Sequence, residues 1–250
     1  MTVRRAAAAV LTVAVLGGAA LALTLGRSPE PAAPPERAPS TQSPRRVVRV
    51  PPTRDPVGAR LLRRVQLRER PGGRVVRTLG RRTGYDSQRI LAVVARRRGW
   101  LGVLSDHMPN SRAGWIPAAS AKLVSEPYTL QVDLSDRELL VRRRRHAVRR
   151  IAVAIGRRGS RTPTGRFAIT DALRMGGPRG PYGCCALALT GRQPNLPRGW
   201  NGGDRIAIHG TASESLLGTA VSAGCLRASN RDMRWLMARK LLGATVRIRA

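Results

Sequence analysis

From Tyr128 onward the chain alternates apolar and polar positions with a period of two. Tyr128, Leu130, Val132 and Leu134 share one face of an extended segment, and Thr129, Gln131 and Asp133 share the other. That alternation predicts a strand with one buried side. Ser135-Asp136-Arg137 supplies turn chemistry before Leu139-Leu140-Val141, so a hairpin is expected, and the basic stretch Arg142 to Arg145 reads as a solvated strand end and turn. Ile151, Val153 and Ile155 alternate up to Gly156, Arg166 to Thr170 reads as another strand, and Arg205-Ile206-Ala207-Ile208 runs into His209. This places His209 at a strand end. The period then becomes helical: Met233, Leu236, Met237 and Leu241 fall on one face, behind the capping pair Ser229 and Asp232 and ahead of Gly243 as the stop. Ala244, Val246 and Ile248 alternate as a last strand. Residues 126–250 therefore read as a mainly β domain with one or two helices, long enough for a core of its own.

Residues 58–124 carry shorter signals. Val65-Gln66-Leu67 leads into the turn residues Arg70-Pro71-Gly72-Gly73, and Val75-Val76 and Ile90 to Val94 follow. Gly99-Trp100-Leu101-Gly102-Val103 and Gly114-Trp115-Ile116-Pro117 complete the series. Short strands with turn glycines predict a small β-barrel module. The two Gly-Trp pairs resemble the bacterial Src-homology-three-like modules. That resemblance implies either binding to cell-wall peptide or glycan, or a spacer role beside a catalytic neighbour.

Upstream of both, Arg4 and Arg5 precede an apolar run from Ala6 to Gly26. Its length suits a membrane helix over residues 1–26, with the basic end cytoplasmic and the remainder outside the cell membrane. A cleaved signal peptide is the competing expectation, since Ala20-Leu21-Ala22 has the small-x-small form of a cleavage site. Residues 27–57 are rich in Pro, Ala, Arg, Ser and Glu and read as a semi-extended linker.

The net charge of +32 favours anionic surroundings, and anionic cell-wall polymers fit an exported chain. Arginine is spread through every segment, so a coat on solvated faces explains the charge equally. Aromatic residues are 3% of the chain, which leaves few stacking platforms, and no nucleic-acid partner is expected. No C-x-x-C or H-x-x-x-H spacing occurs, and His107, His146 and His209 lie far apart, so neither a metal nor another cofactor is expected.

Candidate chemistry then narrows to two rare residues. His209 and Cys225 lie sixteen positions apart, in Ile208-His209-Gly210-Thr211 and Ser222-Ala223-Gly224-Cys225-Leu226-Arg227. A thiol needs a base to become a nucleophile near neutral pH, and a histidine one loop away can be that base. Cys184 and Cys185 are expected to be ordinary strand residues, and the segment from Gly176 to Tyr182 to loop over the cleft.

Thr162-Pro163-Thr164-Gly165 before a strand, then I-H-G-T, then S-x-G-C-hydrophobic-R, a helix and a G-x-x-V-x-I strand resemble the YkuD-type L,D-transpeptidase catalytic domain. The resemblance implies a β-sandwich-like fold. It makes Cys225 the nucleophile of a peptidoglycan cross-linking acyltransferase, His209 its base and the Gly210 carbonyl the group that orients the imidazole. Backbone amides at Gly224 and Cys225 become the oxyanion site. Arg227, Ser222, Thr211 and Tyr182 become candidate substrate contacts. The implied reaction releases D-alanine from a tetrapeptide donor and passes the acyl group to an amine. Water as acceptor would make the same site an L,D-carboxypeptidase. The family usually has S-H-G-C where this chain has Ala223. A weakly active or inactive basic wall-binding protein is therefore the rival expectation.

Overall fold

The computed structural model describes residues 57–199 and 203–250. The expected membrane helix over 1–26 and nearly all of the 27–57 linker lie outside the described residues. Among the described residues, no helix is long and apolar enough to cross a membrane.

Seven short strands come first: β1 (Val57–Leu61), β2 (Val65–Arg68), β3 (Val75–Leu79), β4 (Ile90–Arg97), β5 (Trp100–Leu104), β6 (Ala113–Pro117) and β7 (Ala121–Ser125). They form one antiparallel sheet in the order β3-β2-β6-β5-β4-β1-β7. Ala59, Leu67, Leu79, Leu101, Val103 and Ile116 from both ends of that order share one core, so the sheet coils on itself. No ladder joins β3 to β7, and the coil is hydrogen-bonded as an open sheet rather than as a closed barrel.

The second unit follows: β8 (Tyr128–Asp133), β9 (Glu138–Arg143), β10 (His146–Ala152), β11 (Ile155–Gly156), β12 (Gly165–Arg174), β13 (Cys185–Arg192), β14 (Arg205–Thr211), β15 (Ala220–Ser222), β16 (Leu226–Ser229), α1 (Asn230–Met237) and β17 (Thr245–Arg249). Eight strands pair in the order β10-β9-β8-β17-β12-β13-β14-β16, and β11 pairs with β15. The ten-residue β12 changes partners midway. Gly165 to Ala168 pair with β17, and Ile169 to Arg174 pair with β13. A strand that changes partners in this way turns one ladder into two layers over a shared core. Leu130, Val141, Phe167, Leu187, Ile208, Leu236 and Val246 all belong to that core. Each such side chain contributes about 1.5–3 kcal/mol of burial.

The β8–β9 hairpin forms where the turn residues predict it. Asp133 Oδ1 accepts the Ser135 and Asp136 N–H groups at 3.0 and 3.1 Å. Helix α1 starts as expected, with Ser229 Oγ accepting the Asp232 N–H at 3.0 Å, a cap worth about 1 kcal/mol. It ends at Met237, six positions before Gly243. Arg239 N–H bonds back only three residues to Leu236 O, which tightens and closes the last turn. Gly243, at φ +86°, then delivers the chain into β17, with its N–H on Ile169 O at 2.8 Å.

The two sheets meet along a polar seam. Asn110 Nδ2 donates to Arg192 O at 2.7 Å, and Arg192 N–H donates to Asn110 Oδ1 at 2.9 Å. Asp171, fully buried, accepts from Thr83 Oγ1 and lies 3.6 Å from the Arg205 guanidinium, which also reaches Asp106 at 3.5 Å. Ala92, Leu104 and Ala168 pack beside it. The seam fixes the outer ends of β13 and β14, the strands that lead to the site described next.

Candidate active site

His209 is the fifth residue of β14, not its end. It pairs with Ala186 of β13 on one side and with Arg227 of β16 on the other. The β14–β16 pair is parallel, with Ile208 opposite Leu226. Side chains alternate along a strand, so Ala207 and His209 share a face with Cys225 and Arg227. Cys225, the loop residue just before β16, thereby lies one step along from the strand that runs beside His209, with the two strands about 4.8 Å apart. That register is the structural reason the pair shares a site.

The loop that presents Cys225 is built on hydrogen bonds. Ser222 Oγ accepts the Gly224 N–H at 3.0 Å and donates to Cys225 O at 2.6 Å. Gly224 sits at φ +123°, a conformation that side chains rarely adopt. The Arg157 N–H donates to Ser222 O at 2.9 Å, which ties the loop to the turn after β11.

His209 is buried, and its Nδ1–H donates to Gly210 O at 2.7 Å, the tautomer this short contact selects. Nε2 is then the free lone pair. Burial pushes the imidazole pKa down to about 4; Gly210 O pulls it upward, and the Arg227 charge lowers it further. Burial pushes the Cys225 thiol up, while the Ala207 backbone amide and Arg227 pull it down. Both groups therefore rest neutral near pH 7, as thiol and imidazole rather than as an ion pair. No hydrogen bond joins them in this structure.

Cys225, His209, Arg227, Ser222 and Tyr182 all line one cavity of about 210 Å³, with Gln193, Ala223 and Arg205. The Tyr182 ring stands edge-on to His209, with centroids 5.0 Å apart. Arg227 Nε is buried without a hydrogen-bond partner. Gly210 and Gly224 act from behind through their backbones. Thr211 lies outside the cavity: its side chain is buried and its hydroxyl accepts the Ser213 N–H at 3.1 Å. A larger open cleft of about 400 Å³, lined by Arg63, Arg64, Arg68 and Trp100, holds no cysteine, histidine or carboxylate. No cluster of side chains suited to a metal ion occurs among the described residues.

Cys184 and Cys185 are joined to each other in a disulfide, which corrects the expectation of two plain strand residues; only Cys185 belongs to β13. Cys225 is the free cysteine. Reading by residue type also missed Asn230 and Gln193. Asn230 Oδ1 accepts the Cys184 N–H at 2.7 Å, and Nδ2 donates to Thr211 O at 3.0 Å, packing the 183–184 backbone against Gly210. Gln193 holds three carbonyls of the site. The available signal was a polar residue beside an apolar strand or at a helix start, which is common and unspecific.

Residues 127–248 match the family model described as YkuD, the L,D-transpeptidase catalytic domain. YkuD from Bacillus licheniformis is 35% identical over 107 residues, which are 43% of this chain and 56% of the relative. YkuD from Bacillus subtilis is 30% identical over 107 residues, 43% of this chain and 57% of that protein. The chain thus spans little more than half the length of these curated relatives. Among solved structures, an L,D-transpeptidase from Mycobacterium smegmatis is 16% identical, covering 64% of this chain and 90% of its own, with a TM-score of 0.41.

Proposed function

We propose that this protein is a cysteine acyltransferase, an L,D-transpeptidase that cross-links peptidoglycan stem peptides. The observation that carries the reading is Cys225 and His209 lining one cavity, His209 from β14 and Cys225 from the loop that enters the parallel neighbour β16, with the imidazole held by Gly210 O. The match of residues 127–248 to the catalytic-domain family supports it.

The chemistry follows from the two neutral groups. Cys225 Sγ attacks the carbonyl that joins the L-centre of the donor's diamino acid to its terminal D-alanine. His209 Nε2 takes the thiol proton as the C–S bond forms, since a free thiolate is disfavoured by burial. The Gly224 N–H is already given to Ser222 Oγ, so the Cys225 N–H is the loop amide left to meet the developing oxyanion. Collapse breaks the C–N bond, the imidazolium returns its proton to the leaving amine, and D-alanine departs. An amine of a second stem then attacks the thioester and restores the thiol. Arg227, with its unpartnered Nε, offers a cation to the donor's terminal carboxylate. In this reading the catalytic part works outside the cell membrane, tethered by residues 1–26 through the Pro-rich segment. The sequence pattern of those residues supports that placement.

The test is turnover. Full-length protein incubated with a disaccharide-tetrapeptide should release D-alanine and yield a cross-linked dimer. Binding of the muropeptide without D-alanine release would instead support a wall-binding protein.

A further inference from the structure

Gln193 is the first residue after β13, and it is 4% exposed. Its amide nitrogen lies 3.2 Å from Ser160 O, 3.0 Å from Arg161 O and 3.2 Å from Ala223 O. Its amide oxygen accepts the Asn195 N–H at 3.0 Å. One side chain therefore joins three separate segments: the turn after β11, the cysteine loop and the loop that follows β13. Two N–H groups serve three carbonyls, so one is shared between neighbouring Ser160 and Arg161.

Gln193 also explains a glycine. A Cβ on Gly224 would fall 2.1 Å from Gln193 Nε2, so position 224 must be bare for the amide to reach past it. Ala223 brings no polar side-chain atom to this loop, which leaves Ser222 and Gln193 as its side-chain anchors. Gln193 is itself held firmly. Its N–H donates to Asp204 O at 2.6 Å, and the preceding Arg192 backbone is clamped by Asn110 of the first sheet.

We propose that Gln193 is a positioning residue for the nucleophile: by gripping the Ala223 carbonyl it sets the cysteine loop so that Cys225 faces His209. The proposal rests on the acyl-transfer reading for its consequence in catalysis, but not for its effect on Cys225. Buried amides that satisfy several backbone carbonyls rigidify a loop, and a misplacement of about 1 Å at a reacting atom can cost about a hundredfold in rate.

The first readout needs no peptide substrate. Cys184 and Cys185 are bonded to each other, so modification of the full-length protein by 4,4′-dithiodipyridine reports Cys225 alone. Gln193→Ala should raise that rate about tenfold at neutral pH and move its pH midpoint down, because a released loop loses the burial that holds the thiol protonated. Gln193→Glu keeps the shape of the side chain. A carboxylic acid has one O–H to donate and a carboxylate has none. The Glu variant should follow the native profile at acid pH and the Ala variant above the Glu titration, adding an inflection that native protein lacks. With stem peptide, both variants should lose about tenfold to a hundredfold in kcat at nearly unchanged KM.

A native pH profile of Cys225 modification in both variants overturns the proposal, whether or not the protein turns over stem peptides. Should Gln193→Ala not fold, the presence or absence of the inflection in Gln193→Glu decides it. An altered Cys225 profile in a protein that never releases D-alanine would keep Gln193 in its role and remove the acyl-transfer reading.

Discussion

In the seven-stranded sheet the buried polar side chains are few: Ser105 and Ser120 close local turns, and Arg89 binds the loop carbonyls of Gly80 and Arg82. In the eight-stranded sheet they are many, and Gln193, His209, Ser222 and Asn230 gather around one cavity and its backing. A buried polar group left unpaired costs about 1–3 kcal/mol, so a unit that only packs has reason to avoid them. The second sheet accepts them and partners nearly all. Arg142 Nε and Arg227 Nε are the two buried atoms left without a partner, and of these Arg227 lines the cavity. The contrast marks the sheet that holds the cavity of Cys225 and His209. The seam between the sheets, built on Asp171, Arg205 and Asn110, says how the packing unit steadies the working one.

The largest effect that would sharpen this contrast is at the base. His209→Ala should slow acylation of Cys225 by about 10²–10⁴-fold with little change in unfolding midpoint, read by single-turnover mass spectrometry and thermal denaturation. An acylation rate within a fewfold of native would remove His209 from the proton transfer.

The seam comes next. Asp171→Ala leaves the Arg205 guanidinium half-buried with one acid partner fewer, and breaking such a pair costs about 3–5 kcal/mol. Urea unfolding should show that loss, whereas Arg63→Ala, on the open cleft, should stay within about 0.5 kcal/mol of native. Equal effects would erase the distinction between seam and surface.

A third prediction concerns the joint between the sheets. Glu126 is buried between β7 and β8, and burial pushes its carboxyl up to about 7, against the Tyr128 N–H that pulls it down. Its folded value lies above the unfolded one near 4.5. The stability it contributes is therefore present below that value and lost as pH rises through about 7. Between acid pH and pH 8, native protein should lose on the order of 1–3 kcal/mol that Glu126→Gln retains, measured as the difference in their urea midpoints.

The smallest effect is a near absence of change. Because His209 stays neutral down to about pH 4, acylation should hold nearly constant from pH 7 to pH 5.5. A histidine at its ordinary value near 6.5 would lose about tenfold over that interval. Such a fall in the measured rate would mean the imidazole is far less buried than described.

Much of this was legible in the residues alone. Period-two alternation located β8 and β17, because strands with one buried face write that face into the sequence. Ser229 and Asp232 marked the start of α1, since capping is local chemistry. His209 and Cys225 stood out as rare residues among glycines and turn formers. The end of α1 was not legible, because Leu241 keeps the helical spacing after the helix has closed, packing from a turn that leads to β17. His209 was placed at a strand end because a pairing with β16 cannot be seen from β14 alone. Gln193 and Asn230 were invisible for a related reason. Each serves backbone carbonyls or amides far away in the chain, and such partners carry no signature of residue type.

The most direct measurement is the intact mass of the protein after brief exposure to a tetrapeptide donor. Native protein should gain the donor's mass less that of D-alanine, located on Cys225 by peptide mapping and absent from Cys225→Ala. A native protein that releases D-alanine while carrying no such adduct, or carries it equally in Cys225→Ala, would contradict a cysteine acyl-enzyme.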